Sequence, residues 1–393
     1  MSPRNLLRSR HEGGHARVTY VELFFDLVFV FAITQLSHTL LAHLDLAGAL
    51  HTLLLFLAVW WVWIFTSWVT NWLDPDRTPV RLALLVLMLL GLLLSTSIPE
   101  AFGEKGLLFA IAYVSMQVGR SLFVLWALGD SSPGNTRNFQ RITIWLGFSA
   151  IFWIAGGLMD GEARLMVWIM ALGLEYVAPS LGFRVPNLGR SKTGDWDVEG
   201  AHLAERCCLF VIIALGESIL VTGATFAEAQ INLLSVSAFL TAFVGTIAMW
   251  WIYFDVGAER SAEHIAKSND PGKLARQAYT YTHLLVVAGI VVCAVADELV
   301  LAHPIGHLER PAIAAMIGGP ALYLAGVGLF KWPVAGNFPL SHIIGLVLLA
   351  LLVPVASHLE PIVLAGLTSA VLVIVAAWET WSLRHTRAEL RKH

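Results

Sequence analysis

The sequence contains few charged residues, few cysteines and few long polar segments. Charged residues make up 13% of the 393 positions, which is about half the share that soluble domains carry. Hydrophobic residues make up 57%, and the mean hydropathy is +0.71. One globular core cannot bury so much apolar surface, so the composition excludes a soluble protein and predicts an integral membrane protein.

The motifs of soluble enzymes are also missing. The sequence has no P-loop, no Gly-x-Gly-x-x-Gly after a strand, no Gly-x-Ser-x-Gly and no His-Glu-x-x-His. Its three cysteines, Cys207, Cys208 and Cys293, lie within apolar runs, so neither a disulfide framework nor a zinc site is indicated. We therefore expect no cofactor, no metal and no nucleic-acid partner, and an enzyme would have to act inside the membrane.

Long apolar runs occupy most of the chain. A helix needs about 20 mostly apolar residues to cross a bilayer, and these runs lack the alternation of a β-barrel wall. We predict an all-α polytopic membrane protein with about twelve transmembrane helices. The predicted spans are 20–41, 47–71, 79–99, 106–128, 138–159, 163–183, 204–223, 233–257, 276–301, 311–331, 338–356 and 361–383.

Lysine and arginine are unevenly distributed between the two sides that these spans define. Four arginines precede the first span, and most of the 25 basic residues fall on that same side. The connections on the other side hold only Lys105, Arg164 and Arg310. Because basic loops stay in the cytoplasm, we predict a bacterial inner-membrane protein with both termini cytoplasmic. No small-residue cleavage site follows the first span, so we expect it to be retained.

A polar connection divides the predicted spans into two sets of six. The sets echo each other weakly, for example in the aromatic stretches 60–65 and 250–255. Six helices in each set would make the two copies parallel repeats. The predicted segments are a cytoplasmic arm (1–19), a first six-helix half (20–183), a linker (184–203), a second six-helix half (204–383) and a cytoplasmic tail (384–393).

Two acids open the first predicted span. Glu22, Asp26 and Ile33 share one face of a helix, because steps of four and seven residues return to nearly the same angle. Acids in a membrane segment are functional candidates. In one interpretation they gather cations at the mouth of a pathway that Ile33 constricts. In the other, the acid pair binds a basic partner such as Arg17, Arg120 or Arg206.

A third acid, Glu217, lies near the middle of the seventh predicted span. Arg206 occupies the same helix face, but eleven residues at about 1.5 Å each place it too far away for contact. Glu217 is therefore interpreted as a proton-carrying or cation-binding acid. The alternative is a neutral glutamic acid that is hydrogen-bonded to a neighbouring helix.

Other charged residues in or near the spans are candidate supporting partners. Arg120 in span 4 and Glu175 in span 6 are predicted to form a structural salt bridge, with Asp26 as another possible partner of Arg120. Glu205 and Arg206 open span 7. Asp255 lies near the cytoplasmic end of span 8, where a charge costs little.

Several stretches resemble the bacterial low temperature requirement A (LtrA) family. The most specific are 22–33 at the start of span 1 and 205–206 with 209–219 in span 7. The stretches 68–76, 98–102 and 250–254 also resemble that family, so the similarity covers nearly the whole chain. This resemblance implies a polytopic bacterial membrane protein associated by name with growth in the cold. It implies no particular substrate.

Residues 24–34 are also similar to the first helix of the potassium channels that carry a Phe-Ser-Asp motif. In those channels, this helix lines the pore and large aliphatic residues constrict it. Here Phe25 replaces the serine and Leu27 replaces the glycine that follows the aspartate. Span 7 has no Phe-x-Asp counterpart, so the resemblance implies a lined pathway without potassium selectivity.

These observations favour passage of a proton, cation or small solute along a path lined by spans 1 and 7. One alternative is a membrane-embedded enzyme that acts on a lipid or isoprenoid. The other is a stress-adaptation protein that binds lipid and transports nothing. The expected partners are membrane lipids, the transported species and a second copy of the chain in a homodimer.

Overall fold

The structure, a computed structural model, describes residues 6–8, 17–129, 132–191, 199–255 and 271–384. Within these ranges the chain is helical and forms no strand. Two isolated backbone bridges, Leu7 with Leu73 and Val185 with Gly189, are the exceptions to helix and turn. The predicted all-α fold is confirmed.

Twelve helices follow one another along the described chain. They are α1 (Tyr20–Ala42), α2 (Leu46–Trp72), α3 (Thr78–Ser97), α4 (Gly106–Leu128), α5 (Pro133–Gly157), α6 (Gly161–Val177), α7 (Gly200–Glu228), α8 (Leu233–Phe254), α9, α10 (Arg310–Ala335), α11 (Leu340–Leu352) and α12 (Pro361–Ser382). Helix α9 is α-helical over Pro271–Ala275 and His283–Ala302, and π-helical over Arg276–Thr282.

Among the described residues, ten of these helices are long and apolar enough to cross a membrane. The exceptions are α6, with 17 residues, and α11, with 13. Both end sooner than the predicted spans 163–183 and 338–356. Pro179 follows the end of α6 and Pro354 follows the end of α11, and proline disfavours helical geometry in the residue before it. The chain therefore contains ten long apolar helices and two shorter ones.

The described residues form two compact units. The first lies within Met1–Thr39, Ala47–Arg206 and Asn269–Leu274, and the second within Leu40–Leu46, Cys207–Ser268 and Ala275–His393. The boundary between the units thus falls inside α7, directly after Arg206.

Aromatic side chains fill much of the first unit. Trp153 of α5 and Trp168 of α6 are fully buried, and their ring centroids are 5.4 Å apart. The Trp168 indole nitrogen donates to the backbone oxygen of Trp153 at 3.0 Å. This bond pairs the polar atom of a buried tryptophan and fixes α6 against α5.

Close backbone contact joins α9 and α10 in the second unit. A Cβ atom added at Gly319 would lie 2.9 Å from the backbone nitrogen of Cys293, and one added at Gly326 would lie 2.7 Å from that of Val286. Small residues at such contacts allow helix backbones to approach each other within a membrane.

The described part of the N-terminal arm lies against the end of α2. The backbone nitrogen of Arg8 donates to the oxygen of Trp72, and that of Asp74 donates to the oxygen of Leu6, both at 2.9 Å. Leu6 is buried. These contacts hold the Arg8 side chain beside the first turn of α1.

Candidate functional site

A cluster of charged residues joins α1 to α7 inside the first unit. Glu22 and Asp26 of α1 and Arg206 of α7 all have no solvent exposure. The Arg206 Nη2 atom lies 2.6 Å from Asp26 Oδ1, and Nη1 lies 3.3 Å from Glu22 Oε1. One guanidinium group therefore binds both carboxylates, which lie on one helix face because they are four residues apart.

Glu22 has partners at both of its oxygens. Oε1 accepts from His202 Nε2 at 2.9 Å. Oε2 lies 3.0 Å from Arg8 Nη2 and accepts from the Thr19 backbone nitrogen at 2.8 Å and its hydroxyl at 2.9 Å. Glu22 also lies in the first turn of α1, where the helix dipole favours negative charge.

The bonding around His202 fixes its tautomer. Asn71 of α2 accepts from the backbone nitrogen of Glu199 at 3.0 Å and donates to the backbone oxygen of that residue at 2.8 Å. The amide orientation is thus set, and its nitrogen faces His202 Nδ1 at 3.3 Å. Nδ1 must then accept, so the proton lies on Nε2 and is donated to Glu22. His202 is neutral in this arrangement.

Trp63 of α2 completes the surroundings of Asp26. Its indole nitrogen donates to Asp26 Oδ1 at 2.8 Å. The Arg206 guanidinium carbon lies 5.9 Å from the centre of the Trp63 ring, within the range of a cation–π interaction. Trp63 therefore contacts both members of the ion pair.

The cluster has neutral total charge but unused hydrogen-bonding capacity. Two carboxylates face two guanidinium groups, those of Arg8 and Arg206. Within the described part of the chain, Asp26 Oδ2, Arg206 Nε and Arg8 Nε are buried without a hydrogen-bond partner. Buried polar atoms in this condition are uncommon and mark positions where water or an ion is bound or exchanged. The site can therefore accept a proton or a small polar species at Asp26.

A second polar network surrounds Glu175 in the same unit. Glu175 accepts from Tyr113 Oη at 2.6 Å, Gln117 Nε2 at 3.2 Å, Ser149 Oγ at 2.5 Å and Trp153 Nε1 at 2.9 Å. The four donors come from α4 and α5. They satisfy a buried carboxylate without direct contact from a cation.

The predicted salt bridge between Arg120 and Glu175 is wrong. Arg120 donates to the Val62 oxygen at 3.2 Å, to Thr66 Oγ1 at 3.0 Å and to the side-chain oxygen of Gln117. Gln117 in turn donates to Glu175. The amide of Gln117 thus links the two charged groups, and Arg120 does not bind Asp26 either.

The remaining predicted residues lie outside the cluster. Ile33 is buried in α1, and Glu217 is buried in α7 on the second-unit side of the boundary. Glu205 is exposed and accepts from the Val18 backbone nitrogen at 3.1 Å. Asp255 is half-buried and follows the last residue of α8.

Sequence analysis missed four members of the cluster, namely Arg8, Trp63, Asn71 and His202. The spacing of His202 and Arg206, four residues apart on one face of α7, could have indicated that histidine. The second unit contains an ion pair that was also missed. Lys331 Nζ lies 2.6 Å from Glu379 Oε2 and donates to the Ile252 oxygen at 2.7 Å.

Comparison with known proteins identifies relatives over nearly the whole length. Residues 17–377 match the family model of the bacterial low temperature requirement A protein (LtrA). A curated protein of Rhizobium meliloti (strain 1021), described as uncharacterized, is 42% identical over 372 residues, which cover 94% of this chain and 91% of that protein. No solved structure matches the chain.

Proposed function

The chain belongs to the bacterial low temperature requirement A family, and we propose that it passes protons or small cations across the bacterial inner membrane. Helices α1 and α7 line the proposed pathway. Glu22 and Asp26 bind or relay the ion, Ile33 constricts the path, and Glu217 is a further exchanging acid of α7. Both termini are cytoplasmic in this proposal, so the cluster faces that side.

The state of Asp26 carries the proposal. This residue is fully buried, and its Oδ1 atom has two donors, Arg206 and Trp63. Its Oδ2 atom has no hydrogen-bond partner among the described residues. A carboxylate that served only to hold two helices together would be expected to use both oxygens, as Glu22 does. The unused oxygen supports a role in binding a species that comes and goes.

Arg206 and Trp63 would hold Asp26 in place while that species exchanges. When Asp26 takes up a proton, its attraction to Arg206 weakens, and Arg206 still has Glu22 as a partner at 3.3 Å. The guanidinium group can therefore shift between the two acids without becoming an isolated buried charge, which would be costly.

Ion flux into proteoliposomes tests this proposal. A pH-sensitive dye inside the vesicles reports proton entry driven by a K⁺ diffusion potential, and cation-loaded vesicles report K⁺ or Na⁺ movement. We expect flux with the wild-type protein and loss of flux with Asp26→Asn. Asp76→Asn is the matched control, because Asp76 is an acid of the same unit whose side chain is 70% exposed. Its flux should equal that of the wild type.

Lipid binding is a second candidate function, favoured by a groove in the first unit. The groove lies between α2, α3 and α4, has a volume of about 390 Å³ and is lined almost entirely by apolar side chains. Arg120, Thr66 and Thr70 are polar residues in its lining, which suits an amphiphile with an acidic head group. In this case a folded, reconstituted wild-type protein passes no ion but retains lipid through purification.

A further inference from the structure

Asp297 borders a small cavity in the second unit, far in sequence from the acids considered above. The cavity has a volume of about 30 Å³ and lies among α8, α9, α10 and α12. Asp297 belongs to α9, five residues before the end of that helix at Ala302. It is half-buried and lines the cavity.

The Asp297 carboxyl group makes no hydrogen bond or ion pair with any described residue. The other titratable side chain in the cavity lining is the thiol of Cys293, one helical turn earlier in α9. An ionised carboxylate among packed apolar helices is costly unless a cation accompanies it. Asp297 is therefore stable there as the neutral acid or with a bound cation.

The cavity offers further oxygen atoms to such a cation. Thr368 donates its hydroxyl hydrogen to the Ala365 oxygen at 3.1 Å, and Ser369 donates to the Thr241 oxygen at 3.4 Å. Both hydroxyl groups line the cavity. Because their hydrogens are used elsewhere, their oxygens remain as acceptors.

A backbone carbonyl group adds to this set. Pro320 lies inside α10 and lines the cavity together with Met316. Proline has no N–H group, so the helical partner that the Met316 carbonyl oxygen would normally have is missing. Freed carbonyl groups of interrupted membrane helices commonly coordinate Na⁺ or take part in proton sites.

The size and chemistry of the cavity restrict its occupant. Its volume matches the share of one water molecule in the liquid, about 30 Å³. Carboxylate, hydroxyl and carbonyl oxygens suit hard cations and not the soft metals that thiols and imidazoles select. No group of three or more His, Cys, Asp and Glu residues in the described part of the chain could hold a metal ion.

We propose that Asp297 is a proton-binding site whose proton exchanges for a single small monovalent cation, with Thr368, Ser369 and the Met316 carbonyl group as its other ligands. The site needs no contribution from the first unit. It is measured by binding, without flux, so its failure and the failure of the transport proposal are separate results.

Carbodiimide labelling tests the site. Dicyclohexylcarbodiimide adds to protonated carboxyl groups in apolar surroundings, and peptide mass spectrometry locates the adduct. We expect Asp297 of the purified wild-type protein to be labelled in choline chloride and protected when Na⁺ replaces choline. Asp160, whose side chain is 97% exposed, is the internal control and should remain unlabelled. The adduct should disappear in Asp297→Asn.

Thr368→Val tests the ligand set in a protein that retains Asp297. This variant keeps the shape of the side chain and removes one oxygen, so Asp297 should still be labelled while about tenfold more Na⁺ is needed for protection. Wild-type Asp297 that resists labelling, or labelling that Na⁺, Li⁺ and K⁺ all fail to slow, would overturn the proposal. Unchanged protection in Thr368→Val would remove Thr368 from the site.

Discussion

Arg206 contacts both acids of α1, and Asp26 has no other cationic partner among the described residues. Removal of this cation would leave Asp26 buried and ionised without compensation, which costs far more than the intact ion pair contributes. The stability of the first unit therefore depends on Arg206 more than on any exposed charge.

Arg206→Met should lower the free energy of unfolding by about 3–5 kcal/mol, the usual result of breaking a buried pair from one side. Thermal unfolding of the detergent-purified protein measures the effect. Arg81→Met is the control, because Arg81 is 49% exposed and lies 3.4 Å from Asp76, and such pairs contribute less than about 1 kcal/mol.

The double variant Asp26→Asn with Arg206→Met should recover part of that loss, because the buried charge is then removed with its partner. An Arg206→Met protein as stable as the wild type would contradict the observed ion pairing. So would a double variant that is less stable than the two single losses combined.

The residues of the cluster were only partly predictable from sequence. Glu22, Asp26 and Arg206 were identified because charge is rare in apolar runs. Their contact was one of several alternatives, since residues 180 positions apart meet only through helix packing. The Arg120–Glu175 prediction failed for the same reason: the packing places the amide of Gln117 between them.

At the scale of helices, apolar length predicted existence well and ends less well. All twelve predicted spans have a helix, but α6 and α11 stop short of the predicted ends. Hydropathy continues through residues 178–183, whereas the helix does not, because apolar turns are as hydrophobic as apolar helices. The π-helical segment Arg276–Thr282 has no signature in hydropathy.

The contact between α9 and α10 provides a prediction at this scale. Gly318 and Gly319 are adjacent, but a Cβ atom at Gly318 meets nothing within 4 Å, whereas one at Gly319 lies 2.9 Å from the Cys293 backbone and thiol. Gly319→Ala should therefore destabilise the protein by about 1–3 kcal/mol through overpacking.

Gly318→Ala is its matched control and should be neutral or stabilising by up to about 1 kcal/mol, because alanine favours helix over glycine. Thermal unfolding of both purified variants decides the comparison. Equal stability of the two variants would show that α9 and α10 do not pack as closely as described.

For the whole molecule, the charge bias predicts orientation in the membrane. A phosphatase reporter fused after Gly103, in the connection between α3 and α4, should be active because that connection is predicted to lie outside the cytoplasm. The same reporter at the C-terminus should be inactive, while a fluorescent protein there should fluoresce. An active phosphatase at the C-terminus would contradict the proposed cytoplasmic location of both ends.

Composition was sufficient to predict a polytopic helical membrane protein, because the excess of apolar residues permits no other class of fold. The division of function between acids could not be predicted in the same way. Burial alone makes Glu22, Asp26, Glu175 and Glu217 alike. The hydrogen-bond partners distinguish Asp26 from Glu22 and Glu175, and partners come from helices remote in sequence.

The measurement that tests the central claim most directly is proton flux in proteoliposomes, with wild type, Asp26→Asn and Asp76→Asn reconstituted at equal density. The account predicts flux for the wild type and Asp76→Asn, and flux at the level of empty vesicles for a folded Asp26→Asn protein. If Asp26→Asn conducts as well as the wild type, Asp26 is not the exchanging acid. If the folded wild type passes no proton, Na⁺ or K⁺, the transport function itself is contradicted.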